Sequence, residues 1–194
     1  MSSSEVYFIT HTEVTIDPNI PVPEWPLSEK GIKRMNQLLL KPWVQDVKAI
    51  YSSSERKAMD GAQILASHLS LEYKVIPELG ENDRSATGYL PREEFETTAK
   101  KFFSYPNKSI RGWETAFDAQ KRIIKAVDSI LSQKEGNDRI AIISHGAVGT
   151  LYLCHLKKCA ISASEDQPGN GGGNYFVFDA RSRKLLKGWK PIDS

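Results

Sequence analysis

The chain has 194 residues, 40% of them hydrophobic and 26% charged, which is enough for one sizeable α/β domain with a real core. A net charge of +2 gives no electrostatic case for nucleic acid or an anionic membrane as partner, so any anion affinity has to be local. No apolar run approaches the roughly 18 residues that a membrane span needs.

The chain opens Met1-Ser2-Ser3-Ser4-Glu5, without the basic and apolar regions of a leader, so a cytoplasmic location is expected. A β-branched and aromatic run then predicts a first strand over Glu5–Thr10, ending at His11. Ile16–Pro26, with four prolines, reads as an extended loop. Ser28 is placed to cap a helix that carries Ile32, Met35, Leu38 and Leu39 on one face. Ala49–Ser52 reads as a strand, Glu55–Leu69 as a helix, and Tyr73–Pro77 as a short strand. Gly80–Leu90 reads as a second loop, and Pro91 with Arg92-Glu93-Glu94 starts another helix. The longest helix is expected over Thr115–Gln133, followed by a strand at Arg139–Ser144, His145 and Gly146, and a helix over Val148–Lys157. Gly169–Gly173 leads into a strand rather than a helix, so it reads as a flexible turn and not as a phosphate-cradling loop. Strands at Tyr175–Asp179 and Leu185–Trp189 close the chain.

This alternation predicts an α/β fold with a largely parallel sheet, as a single domain over the whole chain. Cys154 and Cys159 form no CxxC pair and read as ordinary reduced thiols. His68 and His155 fall within helical patterns and are read as structural, and the four tryptophans as packing or pocket-rim residues.

The functional argument starts from His11 and His145, each at the end of an apolar strand. Ligands of open parallel sheets bind beyond the carboxyl ends of the strands, so the two imidazoles are expected to face one pocket. A histidine that attacks phosphorus needs one bare ring nitrogen, with the other held by a hydrogen bond. The phosphoryl oxygens need fixed positive charge and donors, and the leaving alkoxide needs a proton. His11 is the candidate nucleophile. Arg56, in the first turn of a helix just past a strand, offers a guanidinium fork, and His145 adds a donor on the opposite side. Glu81 is the candidate acid, because a phosphate dianion beside a carboxyl raises its pKa. No step requires a metal or cofactor.

The ordered segments Phe8-Ile9-Thr10-His11-Thr12-Glu13, Pro26-Leu27-Ser28-Glu29-Lys30-Gly31, Ser52-Ser53-Ser54-Glu55-Arg56-Lys57-Ala58, Leu79-Gly80-Glu81, Gly112-Trp113-Glu114 and Ile143-Ser144-His145-Gly146 resemble the histidine phosphatase superfamily, the phosphoglycerate mutase-like proteins. The resemblance runs over nearly the whole chain. It implies an α/β three-layer sandwich, with a mixed, mostly parallel sheet of about six strands flanked by helices, and also that His11 is transiently phosphorylated, that Arg56 and His145 clamp the phosphoryl group, and that Glu81 donates the proton. The expected activity is metal-independent hydrolysis of a small phosphomonoester.

The family's first motif is Arg-His-Gly, where this chain has Thr10-His11-Thr12. Thr10 carries no charge, so it is expected to contact phosphate through one hydrogen bond only. Loss of such a contact is worth about 3–4 kcal/mol of transition-state stabilisation. Two outcomes follow. Either Arg84, on the loop with Glu81, completes the phosphate clamp, or the protein is a weak or inactive relative that binds a phosphorylated ligand.

Overall fold

The computed structural model describes residues 4–134 and 136–194; Met1, Ser2 and Ser3, which begin the segment read for a leader, lie outside the described residues. A six-stranded sheet forms the middle layer. Its strands are β1 (Glu5–Thr10), β2 (Val47–Ser52), β3 (Tyr73–Val75), β4 (Arg139–Ser144), β5 (Asn174–Asp179) and β6 (Leu185–Pro191), in the order β3-β2-β4-β1-β5-β6. The first four are mutually parallel, while β5 runs antiparallel to β1 and β6 antiparallel to β5. Five α-helices among the described residues cover the faces: α1 (Glu29–Leu38), α2 (Arg56–Leu69), α3 (Arg92–Ser104), α4 (Ala116–Ser132) and α5 (Gly146–Lys157). No described helix is long and apolar enough to cross a membrane.

The pleat of β1 sorts its side chains between two cores. Val6 and Phe8 join Phe102, Trp113, Ile123, Val127, Leu151 and Tyr152 beneath α3, α4 and α5. Tyr7 and Ile9 join Met35, Leu38, Ala58, Ala62 and Leu65 beneath α1 and α2. Because both faces are covered, the central strands read as continuous apolar runs rather than alternating ones.

Local chemistry sets the ends of the helices. Ser28 Oγ accepts from Gly31 N at 3.0 Å and so caps its helix as the sequence predicts, and Thr115 Oγ1 accepts from Asp118 N at 3.0 Å at the start of α4. The third strand stops at Val75, short of the predicted Pro77, because Pro77 opens a 3-10 turn over Pro77–Leu79. The last helix starts at Gly146 rather than Val148, because extended His145 is itself the N-cap residue.

Candidate active site

Three neighbouring strands end together. In the β1–β4 ladder Thr10 faces Ser144, and in the β2–β4 ladder Ser52 faces Ile143. The pairing continues one residue further, with His11 N donating to Ser144 O and Ser53 N to Ile143 O, each at 3.1 Å. The register therefore brings His11, His145 and Ser53 to one sheet edge.

His11 Nδ1 lies 2.8 Å from Thr12 O. A carbonyl only accepts, so Nδ1 carries the proton and Nε2 keeps its lone pair. Burial, with the neighbouring His145 and Lys57, pushes the His11 pKa down to about 3. The ring is neutral and its bare nitrogen nucleophilic. The His145 ring sits 5.2 Å away, centroid to centroid, at 64°. His145 is fully buried; its Nε2 meets Ser53 Oγ at 2.7 Å and lies 3.6 Å from Glu55 Oε1. Burial lowers its pKa against the pull of Glu55 and Glu81.

The structure does not bring Arg56 to the histidines. Its side chain is 58% exposed and binds Asp60, one turn on, at 2.8 Å. The inward cation is its neighbour Lys57, 4% exposed, whose Nζ donates to Val22 O at 2.7 Å and pairs with Glu55 Oε2 at 2.8 Å. Consecutive helical residues point about 100° apart, so one position separates solvent from pocket. The signal was present: Arg56 and Asp60 form an i,i+4 charge pair typical of a solvated face, while Lys57, Gly61 and Leu65 share the buried one.

Glu55 was not singled out from sequence. Its Oε1 accepts from Glu81 N at 2.9 Å. Burial works against its charge, but His145, Lys57 and the hydrogen bond from Glu81 hold its pKa down at about 2.

Glu81 reaches the histidine end of the sheet. Its Oε2 accepts from Ala147 N and its Oε1 from Val148 N, each at 3.0 Å, at the open N-terminus of α5. Burial raises its pKa, yet Arg84, His145 and these backbone donors outweigh it and leave the pKa below the ordinary carboxylate value. These contacts make Glu81 a cap of the α5 N-terminus and favour its charged form.

Arg84 joins this cluster. Its guanidinium lies 3.5 Å from Glu81 Oε2 and packs over Phe95 and Trp113, 4.8 and 4.9 Å from the ring centroids. Arg122, which no motif marks, fixes the loop from α4. It donates to the carbonyls of Glu78, Gly80 and Glu81 at 2.7, 2.9 and 3.2 Å and grips Glu114 at both oxygens.

Thr10 is turned away from phosphate duty. Its hydroxyl donates to Gln167 Oε1 at 2.8 Å and accepts from Asn174 N at 3.0 Å, so its single proton is committed. The side chain of Thr12 is also diverted, donating to Gly31 O at 2.8 Å. The glycine-rich segment packs directly on the His11 backbone, with Gly173 N donating to His11 O at 2.8 Å. Gly172 has φ +73°, and a Cβ there would lie 2.3 Å from His11 O. Gly172→Ala is therefore expected to cost about 1–3 kcal/mol of stability from backbone strain alone, measured by urea denaturation.

The model of the histidine phosphatase superfamily (branch 1) matches residues 7–187, nearly the whole chain. The chain belongs to this superfamily. No curated protein sequence matches it. Solved histidine phosphatase-like structures share the fold at low identity. The mycobacterial glucosyl-3-phosphoglycerate phosphatase complexed with inorganic phosphate aligns with TM-score 0.77 at 16% identity, covering 99% of this chain and 100% of that one. YhfR of Bacillus stearothermophilus gives 0.77 at 19%, covering 94% of each chain. A phosphoserine phosphatase variant from Entamoeba histolytica bound to phosphoserine gives 0.75 at 20%, again covering 94% of each. The superfamily assignment fits the mixed sheet and the paired histidines at its edge.

Proposed function

We propose that the protein is a metal-independent phosphomonoester hydrolase acting through a phosphohistidine on His11. The observation that carries this reading is the His11 ring itself: neutral, with Nδ1 fixed by Thr12 O and Nε2 bare, beside His145 at the ends of two paired strands. Nε2 attacks phosphorus and the bond to the leaving oxygen breaks, giving an N-phosphoryl intermediate. Lys57, Arg84 and His145 surround the phosphoryl oxygens with positive charge and donors. A phosphate dianion raises the pKa of Glu81, which takes up a proton on binding and gives it to the leaving alkoxide. Glu81 then accepts a proton from the attacking water, the phosphorus–nitrogen bond breaks, and phosphate is released. The phosphoserine and glucosyl-3-phosphoglycerate named for the relatives support a small phosphorylated substrate.

The test is hydrolysis of an aryl phosphate and a panel of natural phosphomonoesters in EDTA. Mass spectrometry of rapidly quenched samples should find an acid-labile phosphoryl group on the peptide that carries His11. EDTA-resistant turnover with that adduct is the expected result. Phosphate-dependent stabilisation without turnover on any ester would sink the enzyme reading in favour of a binding protein. Arg84→Ala is expected to lower kcat/KM by about a hundredfold with unchanged circular dichroism, and near-normal turnover would remove Arg84 from the phosphate clamp.

A further inference from the structure

The carboxylate of Glu55 stands where a phosphoryl group needs donors. Its Oε2 holds Lys57 Nζ at 2.8 Å, and its Oε1 lies 2.9 Å from Glu81 N and 3.6 Å from His145 Nε2. The only other Lys57 contact among the described residues is the neutral carbonyl of Val22, so Glu55 neutralises the one buried ammonium beside the histidines. The charged and titratable groups that face Glu55 are Lys57 on α2, His11 after β1, His145 after β4, Glu81 on its loop and Arg122 on α4. Both imidazoles are neutral, and Arg122 is already gripped by Glu114. The two carboxylates, Glu55 and Glu81, therefore balance the two cations, Lys57 and Arg84, and the pocket offers an incoming dianion no net positive charge.

We infer that Glu55 is a built-in competitor for the phosphoryl group, occupying Lys57 in the free protein and setting the affinity of the site for anions. The inference rests on the reading of this pocket as a phosphoryl site and adds a residue to which no role has been given. An entering phosphate has to take Lys57 from Glu55 and tolerate a second negative charge at close range. Both demands weaken binding. The same contact keeps the buried Lys57 ammonium from standing unpaired, which explains how a carboxylate persists there.

The experiment is calorimetric titration of the full chain with inorganic phosphate. Glu55→Gln keeps the shape and the oxygen that accepts from Glu81 N, and removes only the charge. It is expected to bind phosphate at least tenfold more tightly than the unmodified protein, whereas Lys57→Gln should bind it more weakly. A defect of folding alone would not tighten binding. If Glu55→Gln does not fold, the same comparison is made between Lys57→Gln and the neutral pair Glu55→Gln/Lys57→Gln, where removal of the carboxylate should again tighten binding. Equal or weaker binding after loss of Glu55, with phosphate still bound by the unmodified protein, overturns the inference and leaves the phosphatase reading standing. Absence of phosphate binding in the unmodified protein and every variant overturns both.

Discussion

Replacing His11 by alanine should abolish turnover, by about four orders of magnitude or more, while the protein stays folded and still binds phosphate. The reason lies in the ring's two hydrogen-bonding sites. Nδ1–H donates to Thr12 O, so Nε2 presents a lone pair, and burial keeps that lone pair from protonating until the pH falls to about 3. Initial rates in EDTA check the loss, and residual turnover within tenfold of the unmodified protein would exclude His11 as nucleophile. The same variant reports on ionisation. In the unfolded chain an imidazole titrates at its ordinary value of 6.5, against about 3 for folded His11. Between those values the unfolded state binds more protons, so the fold loses stability as pH falls through that window. The melting temperature of His11→Ala should accordingly decline less steeply on acidification below pH 6.5.

Lys57→Met should lower kcat/KM by about a hundredfold or more, whereas Arg56→Ala should leave both rate and melting temperature close to those of the unmodified protein. The two positions are adjacent in sequence and opposite in environment. Lys57 is buried beside the histidines and perturbs both rings, so its charge acts where water cannot screen it. Arg56 forms an exposed pair with Asp60, a kind of contact that contributes little. Steady-state kinetics on the two variants decide the matter, and the reverse order of effects would restore Arg56 to the site. Because Met leaves Glu55 without its ammonium, thermal melts run alongside the kinetics separate lost chemistry from lost fold.

The elements that position the site were legible because they rest on local rules. Apolar runs marked β1 and β4, Ser28 and Thr115 marked helix starts, and a histidine at the end of each run marked the shared edge. What escaped depends on orientation and on distant partners. The arginine in Glu55-Arg56-Lys57 is the stronger phosphate ligand by type, but the helical phase turns it to solvent and Lys57 to the pocket. The backbone donors of Ala147 and Val148 that cap Glu81 lie more than sixty positions away, beyond any local pattern. Gly169–Gly173 looked like a flexible turn, yet Gly172 and Gly173 close on the His11 backbone, a packing role that composition cannot show. Arg122 left no trace in sequence because its role lies in three carbonyls brought together only by the fold.

The strands that carry the two histidines lie in the middle of the sheet, β4 between β2 and β1, and β1 between β4 and β5. The amides of His11 and Ser53 are bonded to buried carbonyls of β4, so these bonds part only when the sheet itself comes apart. Hydrogen exchange at these amides should follow global unfolding rather than local opening. Damage elsewhere in either core, such as truncation of Leu65 or Ile123, would then act on the population of working molecules and not on their quality. Activity would fall with the folded fraction while KM stayed where it was.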